Sequence, residues 1–404
     1  MLSLRPVRRF YRSVSSAAIV SSSADCPAAK SSIPAKKFKR VEEPALVKLK
    51  SERDPERLFE LFKEYSHNRL VIENRVAFED TVCRLAGAGR FDFIEHLLEH
   101  QKSLPQGRRE GFIVRIITLY GKVGMVNHAV DTFYTMHTYG CRRTVKSLNA
   151  TLSVLMQTRD LGAIEALLAE GMSKFGIQFD IISVNIITKG LCEMLLLDKA
   201  CALTSEMEKM GIRPDIITYT TLMTAFYKSN RCEVGNGFWN LMVHRGCLPN
   251  IVAFNARIQY LVNRRRPWDA NRLAALMKRV GIAPDEITYN LVIKGFCISG
   301  NLEMAKRVYS ALHGNGHQPN EKIYQTMIHY LCVDGDYDLA YTMCKDSMKK
   351  NWFPSVDTIR TLLEGLQNSG QTGKANMIMI LVRKRKPPFL QKQLDAFWCI
   401  LSKK

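Results

Sequence analysis

Apolar residues recur at helical spacing along most of this chain, and the pattern restarts at a fixed interval. Stretches such as Ala200–Met210 and Met304–His313 gather their apolar side chains on one face, which predicts an amphipathic helix in each. Gly follows such stretches at 211, 246, 281 and 316, and Asn351 takes the next place in the series. A helix ending there needs a left-handed residue, which Gly supplies without strain and Asn tolerates better than most. Pro stands three residues on, at 214, 249, 284, 319 and 354, and keeps the helix from resuming. Small residues hold a second phase (Ala129, Ala200, Gly235, Ala270, Ala305, Ala340, Ala375), where two helices must approach closely. Aromatics hold a third at Tyr219, Phe254, Tyr289 and Tyr324, early in the first helix of each unit.

Each unit therefore reads as helix, short turn, helix, Gly-x-x-Pro. One such hairpin cannot bury its apolar face alone, so neighbours must stack into an all-α solenoid. Nine units are counted: 75–109, 110–144, 145–180, 181–215, 216–250, 251–285, 286–320, 321–355 and 356–390. The third carries one extra residue, and the last is degenerate in sequence. Residues 41–74 are expected to form a leading helical pair that caps the array, and 391–404 a C-terminal cap. No linker interrupts the series, which predicts one elongated domain.

The period of 35 and unit texts such as Ile216-Ile-Thr-Tyr-Thr-Thr-Leu-Met223 and Glu286-Ile-Thr-Tyr-Asn-Leu-Val-Ile-Lys-Gly-Phe-Cys297 resemble the pentatricopeptide repeat family, in its plain class from plant organelles. The resemblance spans about residues 45–390 and implies a right-handed superhelix of stacked helix-turn-helix repeats. Some relatives carry an appended deaminase or nuclease domain. The deaminase needs H-x-E and P-C-x-x-C to hold zinc and its general acid, and neither stands here. No phosphate-binding loop or nucleophile elbow is present either. The expectation is a non-enzyme without cofactor or metal.

Repeat proteins of this kind read about one base of single-stranded RNA per unit through two or three side chains. The resemblance assigns this role to the fifth and last residues of a unit. Here these are Asn149 with Asp180, Asn185 with Asp215, Thr220 with Asn250, Asn255 with Asp285, Asn290 with Asn320, and Gln325 with Ser355. An amide both donates and accepts, so it can pair with a base edge, and a neighbouring carboxylate can orient it. By family analogy the central units read 5′-U-U-A-U-[C/U]-3′, with Ile182, Ile217, Val252 and Ile287 wedged between bases. Glu79 with Arg109, and Val114 with Thr144, match no familiar pair. The alternative is that the Asn residues are repeat consensus with little use in base selection.

The units near residues 70–160, including Arg75–Phe91, Ile117–Met125 and Arg143–Asn149, are also similar to short plant mitochondrial members that associate with the ribosome. That resemblance implies docking on the mitochondrial small ribosomal subunit as an alternative to transcript selection.

Charge refines the picture without deciding it. The 404 residues carry a formal net charge of +20, which points toward a polyanion such as nucleic acid. Residues 1–40 hold nine basic side chains against Asp25 alone, in a Ser- and Ala-rich context with apolar residues between the arginines. That is the makeup of a cleaved transit peptide, mitochondrial before plastid because Arg dominates its start. A basic tail that stays attached is the plainer alternative. Arg264, Arg265 and Arg266 fall in a turn between helices and are candidate phosphate contacts. His96 and His100 share a helical face but lack a third ligand, so a surface or packing role is expected. The eleven Cys contain no CxxC, and Cys192, Cys297 and Cys332 share one phase, as packing residues would. No apolar run is long enough to span a membrane; no DNA partner is expected.

Overall fold

The computed structural model describes residues 44–314 and 316–402. Segment 1–40, where the sequence leads one to expect a transit peptide, lies outside these residues, as do 41–43 at the start of the expected leading cap. Every regular element among the described residues is helical. They divide into two compact units between Ala225 and Phe226.

The first unit opens with helices Pro44–Ser51, Pro55–Glu64 and Arg69–Glu73, so the leading cap contains a third short helix beside the expected pair. Four hairpins follow: Arg75–Gly87 with Phe91–Ser103, Glu110–Lys122 with Val126–Thr135, Val145–Thr158 with Leu161–Ser173, and Ile181–Glu193 with Leu197–Lys209. The division falls inside helix Ile216–Lys228. The second unit continues with Cys232–His244, then pairs Ile251–Asn263 with Pro267–Arg279, Glu286–Ile298 with Leu302–Gly314, Glu321–Asp334 with Tyr337–Lys349, and Val356–Asn368 with Thr372–Arg383. Helix Gln391–Ser402 closes it. Within each unit a second helix packs on its own first helix, and successive first helices pack on one another, which is solenoid packing.

The helix ends follow the conformational argument. Gly211, Gly246, Gly281 and Gly316 all have φ between 75° and 83°, and Asn351 has φ 62°. The residue after each then donates back into the helix, as Ile212 N–H does to the Met207 carbonyl at 2.9 Å and Trp352 N–H to Ser347 at 3.0 Å. This satisfies carbonyls that the helix end would otherwise orphan. A second left-handed series stands in the turns inside the hairpins: Gly89, Gly124, Arg159, Leu195, Asn230, Arg265, Gly300, Gly335 and Gly370.

The core lies between the helix rows. Ala129, Ala200, Ala270, Ala305, Ala340 and Ala375 are fully buried, so the close approach expected at that phase is real. Cys192, Cys297 and Cys332 are buried too, and burial pushes their thiols up to about 11, 12 and 12. The final unit, degenerate in sequence, folds as a regular hairpin. Ile378, Met379 and Val382 fill its core, and Phe397 of the closing helix is buried in turn. Apolar spacing holds the hairpin although the Gly-x-x-Pro signal has faded.

Candidate nucleic-acid interface

The last residue of a unit begins the next helix. Asp180 and Asp285 are N-caps of Ile181–Glu193 and Glu286–Ile298, each in a reciprocal capping box with Ser183 or Thr288. Asp215 likewise accepts the Thr218 N–H at 2.9 Å. Asn250, Asn320 and Ser355 cap their helices through Ala253, Ile323 and Thr358 N–H groups. Capping alone thus explains a short polar residue at this position.

Capping does not explain what the aspartates do next. Asn149 donates its amide to Asp180 at 3.1 Å, Asn185 to Asp215 at 3.2 Å, and Asn255 to Asp285 at 3.2 Å. The carbonyl ends of two of these amides are fixed as well. The Thr218 hydroxyl donates to Asn185 Oδ1 at 2.6 Å, and the Thr288 hydroxyl to Asn255 Oδ1 at 2.7 Å. At the first pair the Ser183 hydroxyl reaches only Asp180, and Asn149 Oδ1 is buried without a partner. Partial burial raises the Asp285 carboxyl, but the hydrogen bonds it accepts, those from the Thr288 and Asn255 amides among them, outweigh burial and hold it below the usual carboxylate range. Asp180 is held down against burial in the same way by Ser183 and Asn149.

The third residue of these units is therefore part of the constellation, and sequence reasoning missed it. The signal was available, since Ser183, Thr218, Thr288 and Thr358 recur in phase and are buried.

The remaining sequence-assigned positions are arranged differently. Asn290 Oδ1 accepts from Thr326 at 3.1 Å, and Gln325 donates to Glu321 on its own helix at 3.0 Å. Among the described residues no bond joins Asn290 to Asn320 or Gln325 to Ser355. Asn250 belongs to one compact unit and Thr220 to the other. Ile182, Ile217, Val252 and Ile287 are 56–59% exposed, an apolar residue turned to water once per unit beside the amides. The second residues of the flanking units are Lys146 and Lys322.

The arginine run is narrowed. Arg264 contacts Asn230 and Cys232, and Arg266 pairs with Asp269, while Arg265 is exposed at the turn. Arg264 caps the far end of the 13-residue helix Ile251–Asn263, and Arg265 follows it, so the run stands about 20 Å from that helix's N-cap. His96 and His100 line a shallow pocket of about 390 Å³ with Phe59, Lys63, Leu97 and Gln101, where the Lys63 ammonium opposes a dication. No group of three or more His, Cys, Asp or Glu able to hold a metal occurs among the described residues. No helix there is long and apolar enough to cross a membrane.

Comparison with known proteins now bears on these units. A model described as the PPR repeat family matches residues 179–228 and 249–298, and the PPR repeat model matches 115–141, 217–247 and 287–317. These units are pentatricopeptide repeats. A mitochondrial pentatricopeptide repeat-containing protein of Arabidopsis thaliana is 60% identical over 200 residues, covering 50% of this chain and 49% of its own. The Arabidopsis small ribosomal subunit protein mS78 is 37% identical over 201 residues, 50% of this chain and 48% of that one. Small ribosomal subunit protein mS79 of the same plant is 37% identical over 164 residues, 40% and 42% of the two chains. The chain thus spans about half the length of the curated relatives it matches. The crystal structure of the repeat protein PPR10 from maize superposes with a TM-score of 0.52 at 15% identity, over 86% of this chain and 57% of that one. It supports the solenoid fold.

Proposed function

We propose that this pentatricopeptide repeat protein is a non-catalytic mitochondrial adaptor of the plain class that binds single-stranded RNA. Its expected effect is on the stability, processing or translation of organelle RNA. One observation carries the reading: the Asn–Asp–Thr networks at Asn185/Asp215/Thr218 and Asn255/Asp285/Thr288, beside exposed aliphatic side chains. An amide offers two N–H groups and two lone pairs. With Asp taking one N–H and Thr giving to one lone pair, one donor and one acceptor remain, fixed in orientation. That pair complements the Watson–Crick edge of a pyrimidine, and Ile182, Ile217, Val252 and Ile287 can pack on base faces. A core of 5′-U-U-A-U-[C/U]-3′ is the expected ligand. Gel-shift titration tests it: an oligonucleotide containing UUAUC should bind tighter than a scrambled one, and Asn185→Ala should remove the difference. Equal binding of both oligonucleotides would sink base readout.

A second reading rests on the similarity to mS78 and mS79. In it the array docks on RNA and protein of the mitochondrial small ribosomal subunit. Sedimentation of mitochondrial extract separates the two: co-migration with the subunit at matching abundance supports docking, and a scarce, RNase-sensitive complex supports the adaptor.

A further inference from the structure

The second helices of the repeats turn one stripe to water, and its residue types change at the last unit. Counting back from position 377 by the repeat period gives Thr342, Arg307, Arg272, Gly237 and Ala202; from position 380 it gives Lys345, Ser310, Ala275, Asn240 and Ser205. These are polar, small or charged, as a solvated stripe requires. The last unit has Met377 and Ile380 there, 41% and 49% exposed, while Ile378, Met379 and Val382 of the same helix fill the core. Burial in this hairpin therefore does not account for the two outward residues. One helical turn after Ile380, the Arg383 guanidinium lies 4.6 Å from the ring centre of Trp398 on the closing helix, itself 38% exposed.

The surroundings are predominantly cationic. Residues 365–402 contain Lys374, Arg383, Lys384, Arg385, Lys386 and Lys392 against Asp395 alone. Lys374 is paired with Asp338, but Arg383 and Arg385 meet aromatic faces rather than carboxylates, with Arg385 4.0 Å from the Phe389 ring centre. A cationic rim around an aliphatic centre selects a partner with the opposite layout.

We propose that this end of the array docks an acidic amphipathic segment of another protein, its apolar side chains on Met377, Ile380 and Trp398 and its carboxylates on Arg383–Lys386. A second copy of the chain would set the same cations against each other. RNA would gain from planar side chains, whereas the free ones here are aliphatic and Trp398 is already stacked under Arg383. Three side chains are also too small an apolar face to anchor on a bilayer.

The test uses the full chain and a fluorescein-labelled helical peptide of Leu/Glu heptads, with a Leu/Lys counterpart. The Leu/Glu peptide should bind, weaken with salt, and lose about tenfold in affinity on Ile380→Glu, while Thr342→Glu one repeat earlier changes nothing. Met377→Glu carries the same test if circular dichroism shows that Ile380→Glu fails to fold. Equal binding of the Leu/Lys peptide, or no effect of either substitution, overturns the proposal. So does loss of oligouridine or phosphatidylcholine–cardiolipin vesicle binding in the variants in place of peptide binding.

Discussion

Asn255 donates its amide N–H to the Asp285 carboxylate at 3.2 Å, joining the second turn of helix Ile251–Asn263 to the N-cap of the next first helix. The carboxylate therefore does two things, capping and aiming the amide. Asp285→Asn separates them, because Asn caps about as well as Asp. We expect the variant to melt within about 1 kcal/mol of the parent but to lose its preference at the base facing Asn255. Asp285→Ala should lose both, at roughly 1–2 kcal/mol for the cap. Thermal melts together with a four-base oligonucleotide panel at that position distinguish the cases.

The same carboxylates set an acid limit on stability. Asp180 and Asp285 titrate below the ordinary Asp value of 3.8 in the folded chain. A depressed folded value means stability that is fully present above the unfolded value and lost as pH falls through the folded one. We expect unfolding midpoints to be flat near neutrality and to drop below about pH 4. In Asp180→Asn/Asp285→Asn that drop should be shallower. An unchanged acid limb in the double variant would show that these carboxylates do not govern it.

The turns inside the hairpins explain which parts of the fold were legible in the sequence. Gly211, Gly246, Gly281, Gly316 and Asn351 announce their left-handed series because Pro follows each at a fixed distance. The second series is equally regular in φ, but Arg159, Leu195 and Arg265 stand in it without glycine and hide it. The fold class was legible because apolar spacing repeats the same packing problem many times. In the candidate site, the Asn and Asp positions came through the family resemblance. The threonine that fixes the Asn185 and Asn255 amides from the next unit did not, because its role appears only when two units are stacked.

Leu195 turns that contrast into a measurement. It is 73% exposed at φ 61°, so its side chain contributes little packing while its backbone sits where Cβ is disfavoured. Leu195→Gly should stabilise by about 1 kcal/mol, the left-handed penalty less the entropy of glycine. Gly300→Ala, at φ 71° with nothing near the added Cβ, should cost about as much. Paired thermal melts check both signs.

Cys232 differs from the buried thiols. It is the first residue of helix Cys232–His244, with Arg264 Nη2 3.0 Å from its Sγ. Partial burial raises this thiol, but hydrogen bonds from Tyr260 and Arg264 outweigh it and lower the net value. With iodoacetamide at neutral pH, Cys232 should be carbamidomethylated well before Cys192, Cys297 and Cys332, whose thiols burial pushes up. Arg264→Ala should slow the labelling of Cys232 without altering that of the other three, read by peptide mass spectrometry.

Arg257 occupies a place that other units give to hydrocarbon. The seventh residues of other repeats are Ile187, Leu222, Val292, Met327 and Leu362, all buried, and Arg257 holds the same register at 1% exposure. Its guanidinium lies 4.6 Å from the Trp239 ring centre, and neither Nε nor Nη1 has a hydrogen-bond partner. A buried charge without a carboxylate costs several kcal/mol in desolvation, against about 2 kcal/mol returned by a desolvated cation–π contact. Burial accordingly lowers the guanidinium's affinity for its proton. Replacing the charge with hydrocarbon of similar reach removes the larger of the two terms. Arg257→Leu should therefore raise the urea midpoint, by roughly 1–4 kcal/mol in stability. Arg257→Ala removes the charge but leaves a cavity against Trp239, and should gain less than Arg257→Leu or lose stability outright. A lower midpoint for Arg257→Leu than for the parent would mean that the Trp239 contact, not desolvation, dominates at this position.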